Sequence, residues 1–334
     1  MGGFIIEKRN FLFDTLKGFL IICVIIGNSL EHDTVASEKA HYLILCLYIF
    51  HMPLFAFVSG YFNRKSKRTT QEKVIGILKI YLFAQLFYTI VNKVIFEETS
   101  SKLELFSPKW TMWYFVSLMS WYIISDFIKD KKKWFIISIA LALYIGHDQS
   151  VGSYASISRT FFFLPYFILG MGFKEEYFEK LRRFKYVLAV TSVIFFAVLY
   201  YLSDSITVEM FFEYTKYSYY ADTDVIPLYI RIFHYVGSFI VCAFILSIIP
   251  TVKTQLSIIG KNSIVLYVSH SFIVQLLYKY HFTNIETIFD ILKCEFTILV
   301  FTITLSLLWS FFIGNYKLLY HKIKQFTLTR VLEK

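Results

Sequence analysis

Long apolar stretches separated by short charged loops recur along the whole of this 334-residue chain, and no motif constrains its fold as strongly. A helix needs about 20 mostly apolar residues to cross the hydrocarbon core of a bilayer. Candidate spans lie at 10–31, 42–62, 74–96, 110–128, 134–147, 160–173, 186–203, 228–250, 257–278 and 295–314. They predict an all-α integral membrane protein, a polytopic bundle of about ten transmembrane helices. The stretches at 134–147 and 160–173 are short for the bilayer core, which fits tilt, burial or a partly re-entrant path. With 57% of residues hydrophobic and 17% charged, there is too little polar surface for a soluble domain of this length.

Loop charge orients such helices, because Lys and Arg collect on the cytoplasmic side. Lys8 and Arg9 precede the first span, and Arg64, Lys65, Lys67, Arg68 and Lys73 follow the second. Lys129, Lys131, Lys132 and Lys133 fill the fourth loop, and Lys174, Lys180, Arg182, Arg183 and Lys185 the sixth. The loops between are acidic or mixed: Glu31, Asp33 and Glu38, then Glu97, Glu98 and Glu104, then Asp204, Glu209, Glu213, Asp222 and Asp224. This alternation places both termini in the cytoplasm and assigns the net charge of +10 to membrane orientation, with no nucleic-acid partner. No linker, repeat or low-complexity segment divides residues 1–334, which read as a single transmembrane domain. Cys23, Cys46 and Cys242 fall inside apolar spans, Cys294 lies near another, and no metal-ligand spacing occurs. Neither a disulfide framework nor a metal site is expected. Residues 8–30 have the basic flank of a signal peptide but no small-residue cleavage site, so they read as a retained helix.

The first two spans are not plain lipid-facing helices. Asp14 and Lys17 sit inside the first and His51 inside the second. Such groups cost several kcal/mol in hydrocarbon unless they pair or line a watery cavity, so each marks a candidate site. Lys17 and Asn28 are separated by about three helical turns, roughly 16 Å of rise. They share a face at different depths, with Asp14 close enough to pair with Lys17 and His32 continuing the stripe.

At these residues the chain resembles the membrane-bound acyltransferase 3 family, most closely its fucose 4-O-acetylase-like branch. The family's D-x-x-(K/R)-G followed by an apolar run and G-H-S corresponds to Asp14, Lys17, Gly18 and then Gly27, Asn28, Ser29. Its F-H-M-P-L-F-x-F-x-S-G-Y corresponds to residues 50–61, with His51 and Pro53. Arg159 begins a stretch similar to the family's S-x-x-R and aromatic, Pro-containing helix, and GKNSIVLYVSHSFIV places His270 in its G-K-N-S-x-x-x-Y-x-x-H. One departure stands out: the family's catalytic histidine falls at Asn28.

The resemblance implies acetyl-CoA as acyl donor, entering from the cytoplasm, with Asp14, Lys17, His51, Arg64 and Arg68 as candidate donor-binding residues. Lys17 reads equally as a phosphate contact or as a structural partner of Asp14. His51 reads as a site residue or as a manager of the backbone around Pro53. Candidate catalytic residues are Asn28, His32, His270 and Arg159, the last as an oxyanion or substrate clamp. Trp113 and Trp121 share a helical face and read as core. Arg231 and His234 read as snorkelling groups, with contact to an anionic acceptor carrier as the other reading. Tyr214, Tyr217, Tyr219 and Tyr220, among carboxylates in the longest outer loop, suit sugar hydroxyls but equally an interfacial aromatic belt.

Asparagine has no group that titrates near pH 7 and cannot serve as a general base. Three readings follow: a substituted form of an active enzyme, a base supplied by His32 one turn onward, or a non-catalytic relative. We favour an active background. The chain is expected to be a multi-pass cell-membrane O-acetyltransferase, acylating a hydroxyl of a surface polysaccharide or its lipid-linked precursor. The rival is a non-catalytic transport or binding protein for a glycan intermediate on the same scaffold. Tags at both termini and at residue 131 are expected to report from the cytoplasm, and one near residue 215 from outside. Protease or thiol labelling that finds 215 cytoplasmic contradicts this orientation.

Overall fold

The computed structural model describes residues 11–31, 38–148, 154–280, 289–305, 307–308 and 311–312, and the regular elements among them are all helical. In chain order these are α1 (Phe11–Leu30), α2 (Glu38–Tyr48), α3 (His51–Lys65), α4 (Thr70–Val94), α5 (Trp113–Ser125), α6 (Lys131–Ile145) and α7 (Ile157–Gly172). They continue with α8 (Glu176–Arg183), α9 (Lys185–Leu202), α10 (Val208–Phe212), α11 (Val225–Ile248), α12 (Gln255–Lys261) and α13 (Ser263–Tyr280), and residues 289–305 are helical as well.

Five stretches are long and apolar enough to cross a membrane: Phe11–Leu30, Glu38–Lys65, Thr70–Val94, Lys185–Ser205 and Val225–Ile248. Two bent pairs bring the candidates to seven: α7 turns by 108° into α8, and α12 by 80° into α13. The count of about ten is thus not reached among the described residues. The expected spans at 110–128 and 134–147 become α5 and α6, of 13 and 15 residues, too short to qualify. The stretch 295–314 lies partly outside the described residues.

Burial separates the helices by role. In α1, 67% of the apolar window is buried, against 33% in α4 and 22% in α9. Phe83, Ile90 and Val94 on α4, and Val187, Val193 and Tyr201 on α9, form exposed apolar faces suited to lipid. The buried helices approach backbone to backbone at glycines. A methyl group on Gly60 of α3 would fall on the Phe167 carbonyl oxygen of α7, and one on Gly170 of α7 would fall on that of Phe57. Gly18 of α1 and Gly260 of α12 make the same kind of contact. Between apolar helices in lipid there is little hydrophobic gain to be had, so close packing and interhelical hydrogen bonds hold the bundle. Tyr235 Oη donates to the Phe162 carbonyl at 2.7 Å, and Trp121 Nε1 to that of Thr160 at 2.8 Å.

Loops that alternate in charge along the sequence are sorted into two ends. At the basic end Lys65 meets Glu175 at 2.6 Å, Thr70 donates to Asp126 at 2.8 Å, and Arg182 reaches the Ile249 carbonyl. The Lys65 ammonium and the Tyr61 hydroxyl hold the Glu175 carboxyl below its ordinary range. At the acidic end His147 meets Asp224 at 2.8 Å, and the Tyr217 amide donates to the Gly146 carbonyl at 2.7 Å.

Arg231 and His234 do not snorkel. Arg231 is buried on α11 with Glu213 of the 204–224 loop as counter-ion at 2.6 Å, and their side chains are 2% and 1% exposed. Its Nη1 donates to the Ala142 carbonyl at 2.8 Å, and its charge faces the Tyr217 ring at 4.8 Å. The second Glu213 oxygen lies 3.4 Å from His234 Nδ1. The cluster pins the acidic-end loop to α6 and α11. Removing one member of a buried pair typically costs about 3–5 kcal/mol, because the other charge is left unpaired. Glu213→Gln is therefore expected to lower the thermal unfolding midpoint in detergent sharply, whereas Glu213→Leu combined with Arg231→Met recovers most of it. A Glu213→Gln midpoint equal to that of the unmodified chain contradicts the pinning role.

Candidate functional site

Three adjoining cavities run along the inside of the bundle. The basic-end cavity is walled by Lys17, Ser59, Phe62, Tyr114, Tyr122 and Lys261. Met52 and Tyr267 are shared with a central cavity of about 250 Å³, which is lined by Asn28, Glu31, Tyr48, His51, Arg159 and Ser271. Trp113, Arg159 and Phe212 are shared with an acidic-end cavity that adds Glu209, Tyr214 and Tyr219. The polar stripe of α1 explains the arrangement: Lys17 belongs to the first cavity, and Asn28 and Glu31 to the second.

Arg159 stands at the waist between the central and acidic-end cavities. Its Nε donates to the Phe212 carbonyl at 2.8 Å, and its guanidinium lies 4.6 Å from the Trp113 ring and 5.5 Å from that of Tyr214. Glu31 and Tyr48 lie within electrostatic reach of it. The backbone around this waist is strained. Among the described residues, the non-glycine ones with positive φ are Glu97, Trp110 (50°), Ala155 (49°), Ser156 (55°) and Glu213 (54°). Trp110 and Ser156 line the cavities, Ala155 precedes Ser156, and Glu213 sits between the wall residues Phe212 and Tyr214. Such conformations cost of order 1–3 kcal/mol each and persist where the surroundings over-determine them, characteristically at ligand sites.

Of the residues singled out in the sequence, Asn28, His51 and Arg159 meet in the central cavity. Asn28 Nδ2 donates to the Val24 carbonyl of its own helix at 2.9 Å. His51 Nδ1 lies 2.7 Å from the Leu47 carbonyl, beside the break between α2 and α3, and its ring meets Tyr48 edge-on at 4.7 Å. His51 thus lines the central cavity and also stands at the break that opens α3. Lys17 likewise pairs with Asp14 at 3.0 Å and lines the basic-end cavity. Arg64 and Arg68 are exposed at the basic end and outside that cavity's wall, Arg64 packing 5.4 Å from the Tyr61 ring. His270 is fully buried beside the central cavity, not in its wall: Nδ1 faces the Tyr267 carbonyl at 2.8 Å and Nε2 faces Ser271 Oγ at 3.3 Å. His32 lies outside the described residues.

Sequence reasoning missed Glu31, Tyr48 and the cavity role of Trp113. Glu31 lies three residues beyond Asn28, and its carboxylate accepts a hydrogen bond from the Tyr48 hydroxyl. The signal was present: Glu31 extends the polar stripe of α1, yet it counted only as loop charge. Trp113 serves as a shelf for the Arg159 guanidinium, a role invisible without the partner. No disulfide joins any of the four cysteines, and no group of three or more metal-ligating side chains occurs among the described residues.

A family model described as an acyltransferase domain matches residues 10–315. The chain is also 31% identical over 155 residues to the nodulation protein NolL of Mesorhizobium japonicum, a match covering 41% of each protein. The match thus spans less than half the length of that relative. No solved structure matched.

Proposed function

The chain belongs to the acyltransferase 3 family, and from that premise we propose that it is a cell-membrane O-acetyltransferase with both termini in the cytoplasm. Acetyl-CoA is the donor, and the acceptor is a hydroxyl of a surface polysaccharide or its lipid-linked precursor. The observation that carries this reading is the series of three cavities meeting at Met52, Tyr267, Trp113 and Arg159. A donor with an anionic, phosphate-bearing end suits the cavity holding Lys17 and Lys261. An acceptor sugar suits the opposite one, where Trp113, Tyr214 and Tyr219 offer ring faces and Glu209 a hydrogen-bond acceptor. The two substrates then meet in the central cavity without either crossing the bundle.

Acyl transfer builds negative charge on the former carbonyl oxygen, and preorganised donors aimed at it are worth more in a water-poor site. Arg159 is the group built for that task. Its position is set by the Phe212 carbonyl and two aromatic faces before any substrate arrives. His51, whose Nδ1 is engaged by the Leu47 carbonyl, shapes the floor below it.

The test is turnover of labelled acetyl-CoA by purified protein, followed by mass analysis of the host's surface polysaccharide with and without the protein. Arg159→Ala is expected to lower kcat by about 10²–10³-fold, the typical loss when an oxyanion donor is removed. Lys17→Ala is expected to raise KM for the donor while leaving the protein folded. Protein that neither binds nor turns over acetyl-CoA, yet moves a glycan intermediate, would favour a transporter on this scaffold.

A further inference from the structure

Transfer of an acyl group to a hydroxyl must dispose of the hydroxyl proton, and the central cavity offers few groups able to take it. Asn28 cannot accept it as a base, and its amide is already turned to the Val24 carbonyl. His51 lines the cavity with one ring nitrogen engaged by the Leu47 carbonyl, and its ring meets that of Tyr48 edge-on at 4.7 Å. His270 lies behind Ser271, outside the cavity wall. Glu31 is different. It lines the cavity beside Asn28 and Arg159, near the opening to the acidic-end cavity where Arg159 and Phe212 are shared.

Resting on the acetyl-transfer reading, we infer that Glu31 is the general base of this chain. The acceptor oxygen attacks the thioester carbonyl carbon while Glu31 takes its proton, so that a C–O bond forms. The tetrahedral intermediate then collapses, the C–S bond breaks, and the thiolate leaves with the proton that Glu31 returns. The ester and the free thiol of coenzyme A are the products, with no other reactant needed.

The surroundings of Glu31 suit that work. The Tyr48 hydroxyl donates to its carboxylate and fixes its orientation, while Arg159 supplies a positive charge from α7. Glu209 opposes its negative charge from α10. Glu31 stands just beyond the α1 span, which ends at Leu30. Burial pushes its carboxyl up to about 7, with the Tyr48 hydrogen bond and the Arg159 charge pulling the other way. A base works best when its pKa lies near the operating pH, and a carboxyl in its ordinary range would be too weak.

The experiment follows transfer by the full chain in detergent, from labelled acetyl-CoA to glycan acceptor, across pH. The unmodified protein is expected to gain rate as pH rises through about 7 and then level off, since only the ionised carboxylate accepts a proton. Glu31→Gln is expected to lose about 10²–10⁴-fold in transfer and to lose the rising limb, with donor affinity unchanged. Asn28→His is expected to fall short of the 10²–10⁴-fold gain that a newly supplied base would bring, because a base is already in place. Should Glu31→Gln fail to fold, judged by loss of the thermal shift with acetyl-CoA, Glu31→Asp must keep the limb at reduced rate. A Glu31→Gln rate within about threefold of the original, or a persisting limb, overturns the inference, as does a limb lost in Glu31→Asp or a 10²–10⁴-fold gain from Asn28→His. Absence of acetyl-CoA turnover in both the unmodified chain and Asn28→His would instead remove the acetyl-transfer reading itself.

Discussion

A guanidinium inside an apolar bundle must be given its partners by the protein, because lipid offers none. This chain solves that problem twice, with opposite results. Arg231 is enclosed: Glu213 neutralises it, the Ala142 carbonyl accepts from it, and the Tyr217 ring covers it. Arg159 is held by one carbonyl and two ring faces, which fix its position yet leave it in the walls of two cavities. The first arrangement is structural glue. The second leaves a charge at the boundary between two cavities.

Placing Arg159 depends on packing far from the guanidinium itself. It projects from the first turn of α7, whose start is set by Ala155 and Ser156 in the left-handed region. The other half of α7 is clamped to α3 through Gly60 and Gly170, where neither backbone has a side chain that could give way. Since α3 begins at His51, the same clamp brings the floor of the central cavity and its arginine together. The Gly18–Gly260 contact does the equivalent for α1 and α12, placing Lys17 and Lys261 on one cavity wall. Small residues at helix crossings thus decide where the charged ones meet.

The membrane class and the polar face of α1 were legible in the sequence because both rest on local patterns, apolar run length and helical spacing. His51 and Arg159 were singled out through the family resemblance, and both line the central cavity. What remained hidden depends on partners distant along the chain. Arg231 looked like a snorkelling residue because Glu213, which neutralises it, sits in a loop with an unremarkable acidic composition. Trp113 looked like core because the cation it supports lies on another helix. Helix continuity was also hard to read: hydropathy ignores the breaks after Tyr48 and Lys261 and the turn after Gly172, which yield shorter helices than the apolar runs suggest. Glu31 was misfiled by its own charge, counted toward orientation when its position on the α1 stripe was the more telling fact.

Strain and packing complement each other around the site. Among the described residues, four of the five non-glycine positions with positive φ, Trp110, Ala155, Ser156 and Glu213, border the central and acidic-end cavities. None of them can relax alone. The Ala155 amide is tied to the Phe106 carbonyl at 2.6 Å, Glu213 to Arg231, and Trp110 is packed against Tyr88 at 4.4 Å between ring centroids. Each tie is a tertiary contact between segments remote in sequence, so the strained turns exist only once the bundle has closed. The cavity mouth therefore depends on contacts made between separate segments of the chain. The cost of holding its side chains in fixed positions is carried by contacts at its edges.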